Sequence, residues 1–307
     1  MESLIYSIDT KLIEKNNSSN FKYSFSEKIN NVVNITLSSV EIPNSIYVFN
    51  DTKDNEVFRI TVRGYNHRFY LQQGNYDIKE LYDQILFFFN TIEKLYKKDG
   101  YYIQFNFSFD IDNARFKLEC NETFSLFFDN LTKYDSLGRQ LGFAQDKYEN
   151  IRNITGEYIP DIMGDKYIFM KMNDYGNIYN NDKKYFSKII INKESYEMIY
   201  NSQHKFISKT FKFNQPTELK ELDFRFEDYM GNLVNFNGLD LSFTLEIKFI
   251  KNIGLKPFYE KYNYDEELMR MILMDSMMNY YLSDDFKLPM LDVNTFHKLN
   301  KQSKEDQ

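Results

Sequence analysis

Two runs near the carboxyl end of the chain constrain its fold most. Leu222, Phe224 and Phe226 alternate with Asp223, Arg225 and Glu227; Phe243, Leu245, Ile247 and Phe249 alternate with Thr244, Glu246, Lys248 and Ile250. Side chains on a strand point to opposite faces with period 2, so each run has one apolar face and one mainly polar face. Asp228, Gly231, Asn232, Asn237 and Gly238 supply turn residues between the runs. Together they read as the closing hairpin of an antiparallel sheet packed on one side.

The same periodicity recurs upstream. Phe21, Tyr23 and Phe25 make one strand, and Val33, Ile35 and Leu37 make a second. The Pro43-Asn44 corner follows, because proline removes a ladder donor and restricts the residue before it. Residues 57–62 and 68–71 form a hairpin about Gly64, and residues 103–109, 116–118, 167–172, 186–191 and 206–213 complete an inventory of roughly ten strands. Residues 3–20 read as a polar arm, residues 124–130 suit either strand or helix, and residues 147–164 read as irregular. One principal helix is expected over residues 78–97. There Ile78, Leu81, Ile85, Phe89, Ile92 and Tyr96 recur at three- and four-residue intervals, and Asp77 with Glu80 suits a capping box. So aromatic a stripe is suited to sealing a sheet rather than holding a cofactor. Ser136 to Phe143 is a helical turn ended by Gly142.

The composition is aromatic, with 29 Phe and 25 Tyr but no Trp, and alanine only at 114 and 144. Such a bias follows from AT-rich coding sequence, and aromatics favour strands. A chain of 307 residues buries about three quarters of its unfolded surface, so it needs no disulfide or metal to fold. A net charge of −7 without a dense basic patch argues against nucleic-acid binding. Cys120 is the single cysteine, which fits a reducing compartment. The amino terminus lacks a secretory signal. No apolar run approaches the ~20 residues of a membrane span, so none is expected.

Chemistry-bearing patterns are sparse. His67, His204 and His297 stand in unrelated contexts, and zinc-type spacing is absent, so no metal site is expected. Cys120 has apolar neighbours and reads as a packed residue. Glycines stand singly at turns, with no phosphate loop, and no nucleophile elbow occurs. Asp110/Asp112, Asp161/Asp165 and Asp284/Asp285 are carboxylate pairs, and Asn173-Asp174-Tyr175-Gly176-Asn177 is the nearest approach to a calcium loop. Each reads more simply as turn chemistry. No catalytic residue and no cofactor is expected, and the chain does not read as an enzyme.

From Pro257 the pattern changes. Residues 265–282 suit a Met-rich helix, apolar over much of its circumference, with acidic residues in its first turn. Residues 283–296 are extended and proline-bearing, and the final ten are polar and read as disordered. Methionine adapts to irregular contacts, so this segment either covers its own body or touches a neighbour.

The order of five blocks, VNITLSSVEIPNSIYVFND, FRI, QQGNYDIKELYDQI, LGRQLGF and LKELDFRFEDYMGNLVNFNGLDLSFTLEIKF, resembles structural proteins of the large nucleocytoplasmic DNA viruses. The likeness is greatest to their jelly-roll minor capsid proteins, and it spans residues 21–250. The resemblance implies an all-β, jelly-roll-like antiparallel sandwich; the helix over residues 78–97 is then a departure from that fold or an insertion in it, and the Met-rich segment is a carboxyl-terminal helical extension. Residues 1–20 would be an arm, 21–256 the sandwich and 257–307 the tail. It implies a structural virion protein, assembled in host cytoplasm, that cements or bridges capsid subunits. Its partners would be the major capsid protein and further minor capsid proteins, with homo-oligomers possible. Leu268, Met271, Ile272, Phe286, Leu288 and Leu291 are then the expected contact residues. A carbohydrate- or receptor-binding module is the alternative, marked by Tyr side chains gathered in one groove. A glycan-cleaving enzyme would need two carboxylates facing each other across a cleft.

Overall fold

The computed structural model describes residues 1–15, 17–128, 136–202, 209–251, 270–271 and 273–275. In chain order its strands begin with β1 (Glu2–Asp9), β2 (Asn20–Pro43), β3 (Val57–Val62), β4 (Tyr65–Tyr70), β5 (Phe105–Asp110), β6 (Arg115–Phe127) and β7 (Lys147–Thr155). They continue with β8 (Tyr167–Met172), β9 (Ile178–Asn180), β10 (Lys183–Tyr185), β11 (Ser187–Ile190), β12 (Met198–Ser202), β13 (Thr210–Glu227) and β14 (Ser242–Phe249). Two helices join them, α1 (Ile78–Lys98) and α2 (Leu137–Gln140). The fold is all-β and antiparallel, with few helices, as the sequence implies.

The larger sheet runs β1-β14-β2-β13-β8-β11, with β12 also on β2. Phe21 of β2 pairs with Phe224, and Val40 of the same strand pairs with Phe243. A straight strand would hold those positions about 63 Å apart, at ~3.3 Å per residue. Yet the rings of Phe224 and Phe243 are 4.9 Å apart, and those of Phe21 and Phe243 are 6.3 Å apart. β2 therefore folds back on itself. Asn31 sits at the bend with φ 57°, and the pairing with β13 shifts register between Lys212 and Glu221. Such irregularities bend a strand and increase its twist. One curled sheet thus closes as a sandwich around Ile35, Leu37, Leu222, Phe226, Leu245 and Ile247, each fully buried.

Two sequence expectations change here. The runs at Phe21 and Val33 are halves of one 24-residue strand. β13 and β14 are not a hairpin, since β2 lies between them. Alternation reports which face a residue occupies, and it carries no information about the neighbouring strand.

Between β2 and β8 the chain builds a second sheet, β4-β3-β6-β5, with β7 also on β6. Its apolar face meets α1, whose Leu81, Ile85, Phe89, Ile92 and Tyr96 are buried, with the Phe89 ring 4.9 Å from Phe105 and 5.6 Å from Phe107. Asp77 and Glu80 form the expected capping box. The helix seals a sheet, as its stripe suggests, and this layer has a buried cluster distinct from that of the curled sheet. The β3–β4 loop is Arg63-Gly64, both at positive φ, the backbone of a tight two-residue hairpin. Residues 147–155, read as irregular, form β7; only its Ile154 is buried, so the strand has little apolar alternation to display.

Candidate interaction surface

The chemistry-bearing residues singled out in the sequence mostly serve the fold. His67 Nε2 lies 3.1 Å from the Tyr96 hydroxyl, and burial holds its imidazole below the usual histidine range. Burial pushes the Cys120 thiol up, which suits a packed side chain and not a nucleophile. Asp110 accepts from the Asn113 side chain (2.7 Å) and from the Asp112 and Asn113 amides, and closes the β5–β6 turn. Asn173, in the calcium-like stretch, accepts from the Asp223 amide at 2.7 Å. Among the described residues no three of His, Cys, Asp and Glu gather as metal ligands. No described helix is long and apolar enough to cross a membrane. His204, His297 and Asp284/Asp285 lie outside the described residues.

A cleft of about 330 Å³ lies where α2 and the start of β8 meet the loop after β13. Lys53, Arg139, Asp161, Asp165, Tyr167 and Tyr229 line it. Both carboxylate oxygens of Asp165 accept from Lys53 Nζ at 3.0 Å, with the two side chains 6% and 11% exposed. That carboxylate is committed to an internal ion pair. Among the described residues the most exposed tyrosines, Tyr65, Tyr102, Tyr179 and Tyr196, stand outside the cleft.

The surface that stands out is the outer edge of β1. The expected amino-terminal arm is in part this strand, signalled by the alternation of Leu4, Tyr6 and Ile8. It pairs with β14 over eight positions without a register shift. Ile8 is buried, and the Tyr6 ring meets Phe25 at 4.8 Å. Its far end is pinned. Thr10 donates to Asp240 at 3.0 Å, and Lys15 pairs with the same carboxylate at 2.7 Å, a hydrogen bond that with its neighbours holds Asp240 below the usual carboxylate range.

No described strand pairs with the other side of β1. Edge strands are ordinarily protected by shortness, charge, proline or bulges. β11 is four residues long and carries Lys188; β7 carries Lys147, Glu149 and Arg152 and pairs irregularly with β6. Between Glu2 and Asp9, β1 has no charge, no proline and no bulge, and it exposes Leu4 by 39% and Ile5 by 73%. Its unpaired N–H and C=O groups form a template for one more strand.

Of the six expected contact residues, Met271 is described: it is helical and 67% exposed, as is Met274 at 59%. Leu268, Ile272, Phe286, Leu288 and Leu291 lie outside the described residues.

No protein-family model matches this chain, and no curated protein matches it. Among solved structures it is similar to the mavirus penton protein, at TM-score 0.41 and 13% identity over 81% of this chain and 99% of that one. It is also similar to a chain in the Sputnik virophage cryo-EM structure, at TM-score 0.40 and 11% identity over 81% and 98%.

Proposed function

We propose that this protein is a non-enzymatic structural component of a virion, which bridges capsid subunits through protein–protein contacts. The outer edge of β1, unpaired among the described residues, carries this reading. An eight-residue edge with exposed Leu4 and Ile5 is a liability in a lone molecule and an asset in a shell, where a neighbouring strand completes the ladder. The resemblance of the order of its sequence blocks to virion jelly-roll proteins supports it. The tail, residues 257–307, supplies a further contact with the major capsid protein or another minor capsid protein, and Met271 and Met274 already present apolar surface to solvent.

The test is incorporation into particles. Ser3→Lys with Ile5→Lys places charge on the edge without touching the core, because Ile5 is exposed. Expressed with the other capsid proteins, this variant should fold with an unchanged melting profile yet be lost from purified particles. Truncation after Lys256 should have the same effect. Normal incorporation of both variants refutes the proposal.

A further inference from the structure

α1 carries a second row of side chains opposite its buried one. Glu80, Gln84, Phe87, Thr91, Lys94 and Lys98 are all exposed, at spacings of 4, 3, 4, 3 and 4 residues. This is the seam spacing of paired helices. Phe87, at the centre, is 70% exposed, and Leu95, two turns farther along the helix, is 48% exposed. The row is acidic in its amino-terminal half, with Asp83 flanking Glu80, and basic in its carboxyl-terminal half. Charges in that order complement the helix dipole, but the dipole gives no reason for a bare phenylalanine at mid-helix. Glu80 serves the capping box of its own helix, but among the described residues Asp83, Lys94 and Lys98 form no ion pair.

We propose that this face joins a second copy of the chain, the two α1 helices packing antiparallel about a two-fold axis that passes between Phe87 and Thr91. A two-fold contact is made by one patch against itself, so the patch must be complementary to its own reverse. This row is. Phe87 then lies over the partner's Thr91, Gln84 meets the partner's Lys94, and Glu80 meets the partner's Lys98. Asp83 lies within a turn of both partner lysines. A parallel arrangement would instead place acid on acid and base on base. A helix of 21 residues is only about 31 Å long, and one helix pair buries less than the ~1,200 Å² of a standard stable interface. The dimer is therefore weak and reversible, and it weakens further with salt because its charges are exposed. The inference is independent of the virion reading and holds for the isolated protein.

Sedimentation equilibrium on the full chain tests it. Wild type should show a monomer–dimer equilibrium, and Phe87→Ser should raise the dissociation constant at least about tenfold, a central aromatic being the usual anchor of such a contact. Measured well below the wild-type dissociation constant, where both proteins are monomeric, the melting temperature of that variant should not change, because Phe87 is outside the core. The Asp83→Lys/Gln84→Lys variant and the Lys94→Glu/Lys98→Glu variant should each be monomeric alone and should form a one-to-one heterodimer when mixed. A wild type that stays monomeric overturns the proposal and leaves the face to another occupant, such as the chain's own carboxyl-terminal segment. A dimer indifferent to Phe87→Ser, or charge variants that fail to recover on mixing, also overturns it.

Discussion

Replacing Phe224 and Phe243 by leucine, singly and together, tests whether β2 folds back across the core. Both rings are fully buried and meet edge to face at 4.9 Å, although they pair with positions nineteen residues apart on β2. Each replacement removes buried carbons that the surroundings only partly refill, at a cost of roughly 1–2 kcal/mol. Even the double variant remains within the ~5–15 kcal/mol by which such domains are stable. Aromatic contacts of this geometry are worth about 1 kcal/mol beyond burial, so the double variant should be less destabilised than the sum of the singles by about that amount. Urea denaturation followed by circular dichroism resolves such a difference. Distant sites add to within ~0.3–0.5 kcal/mol, and Phe243 with Phe116, which lies in the cluster beneath α1, is a suitable additive control. If the Phe224–Phe243 cycle is as additive as the control, the rings do not touch and β2 does not fold back.

Two further perturbations address the second sheet and its surroundings. Gly142 lies at φ +89° with the Tyr158 carbonyl oxygen 2.2 Å from where a Cβ would stand, whereas Gly64 lies at φ +79° in open space. Gly64→Ala should cost only the left-handed penalty of about 1 kcal/mol, while Gly142→Ala should cost at least twice that in urea denaturation; equal costs would refute the close approach. Burial, reinforced by the hydrogen bond to Glu157, pushes the Tyr148 phenol up to about 12. Because the folded pKa exceeds the unfolded value near 10, Tyr148 contributes stability that is fully present below pH 10 and is lost as pH rises towards 12. Stability of the wild type should therefore fall more steeply than that of Tyr148→Phe across this window, and parallel profiles would contradict it.

Strand faces were legible in the sequence, and strand neighbours were not. α1, its capping box, the Gly64 hairpin, β8 and the turn ended by Gly142 all follow from local spacing and turn chemistry. The fold-back of β2 does not. Phe21, Phe25 and Ile29 are buried at odd positions and Val32 at an even one, so the alternation breaks beside Asn31, but an apolar doublet such as Val32-Val33 does not say which way the strand turns. The division of apolar side chains into two buried clusters is invisible for the same reason, since a buried stripe does not say which core it enters. At the candidate surface, β1 had a readable alternation, but Ile5 interrupts it. An apolar residue on the outward face blurs the pattern because that face is available to something other than water.

That interruption and Phe87 are the same kind of signal. In a strand or helix whose inner row already fills a core, an apolar residue left mostly exposed on the outer row gains little from burial within the chain. Ile5 does so on the curled sheet and Phe87 on the helix that covers the second sheet, so the two contacts they imply are on different layers of the molecule. Their symmetries differ as well. The α1 contact is self-complementary and closes with two copies, whereas the edge of β1 accepts any strand of matching length and closes nothing by itself. Self-pairing of β1 is disfavoured, because antiparallel alignment of two copies in full register would place Glu2 against the partner's Asp9 at both ends. A dimer joined through α1 would then offer two β1 edges to other proteins, and so bridge two neighbours at once. Loss of the α1 contact should leave each copy able to attach by β1 but unable to link, so Phe87→Ser should still enter particles while lowering their resistance to dissociation. Particles as robust as wild type would show that bridging does not pass through the helix.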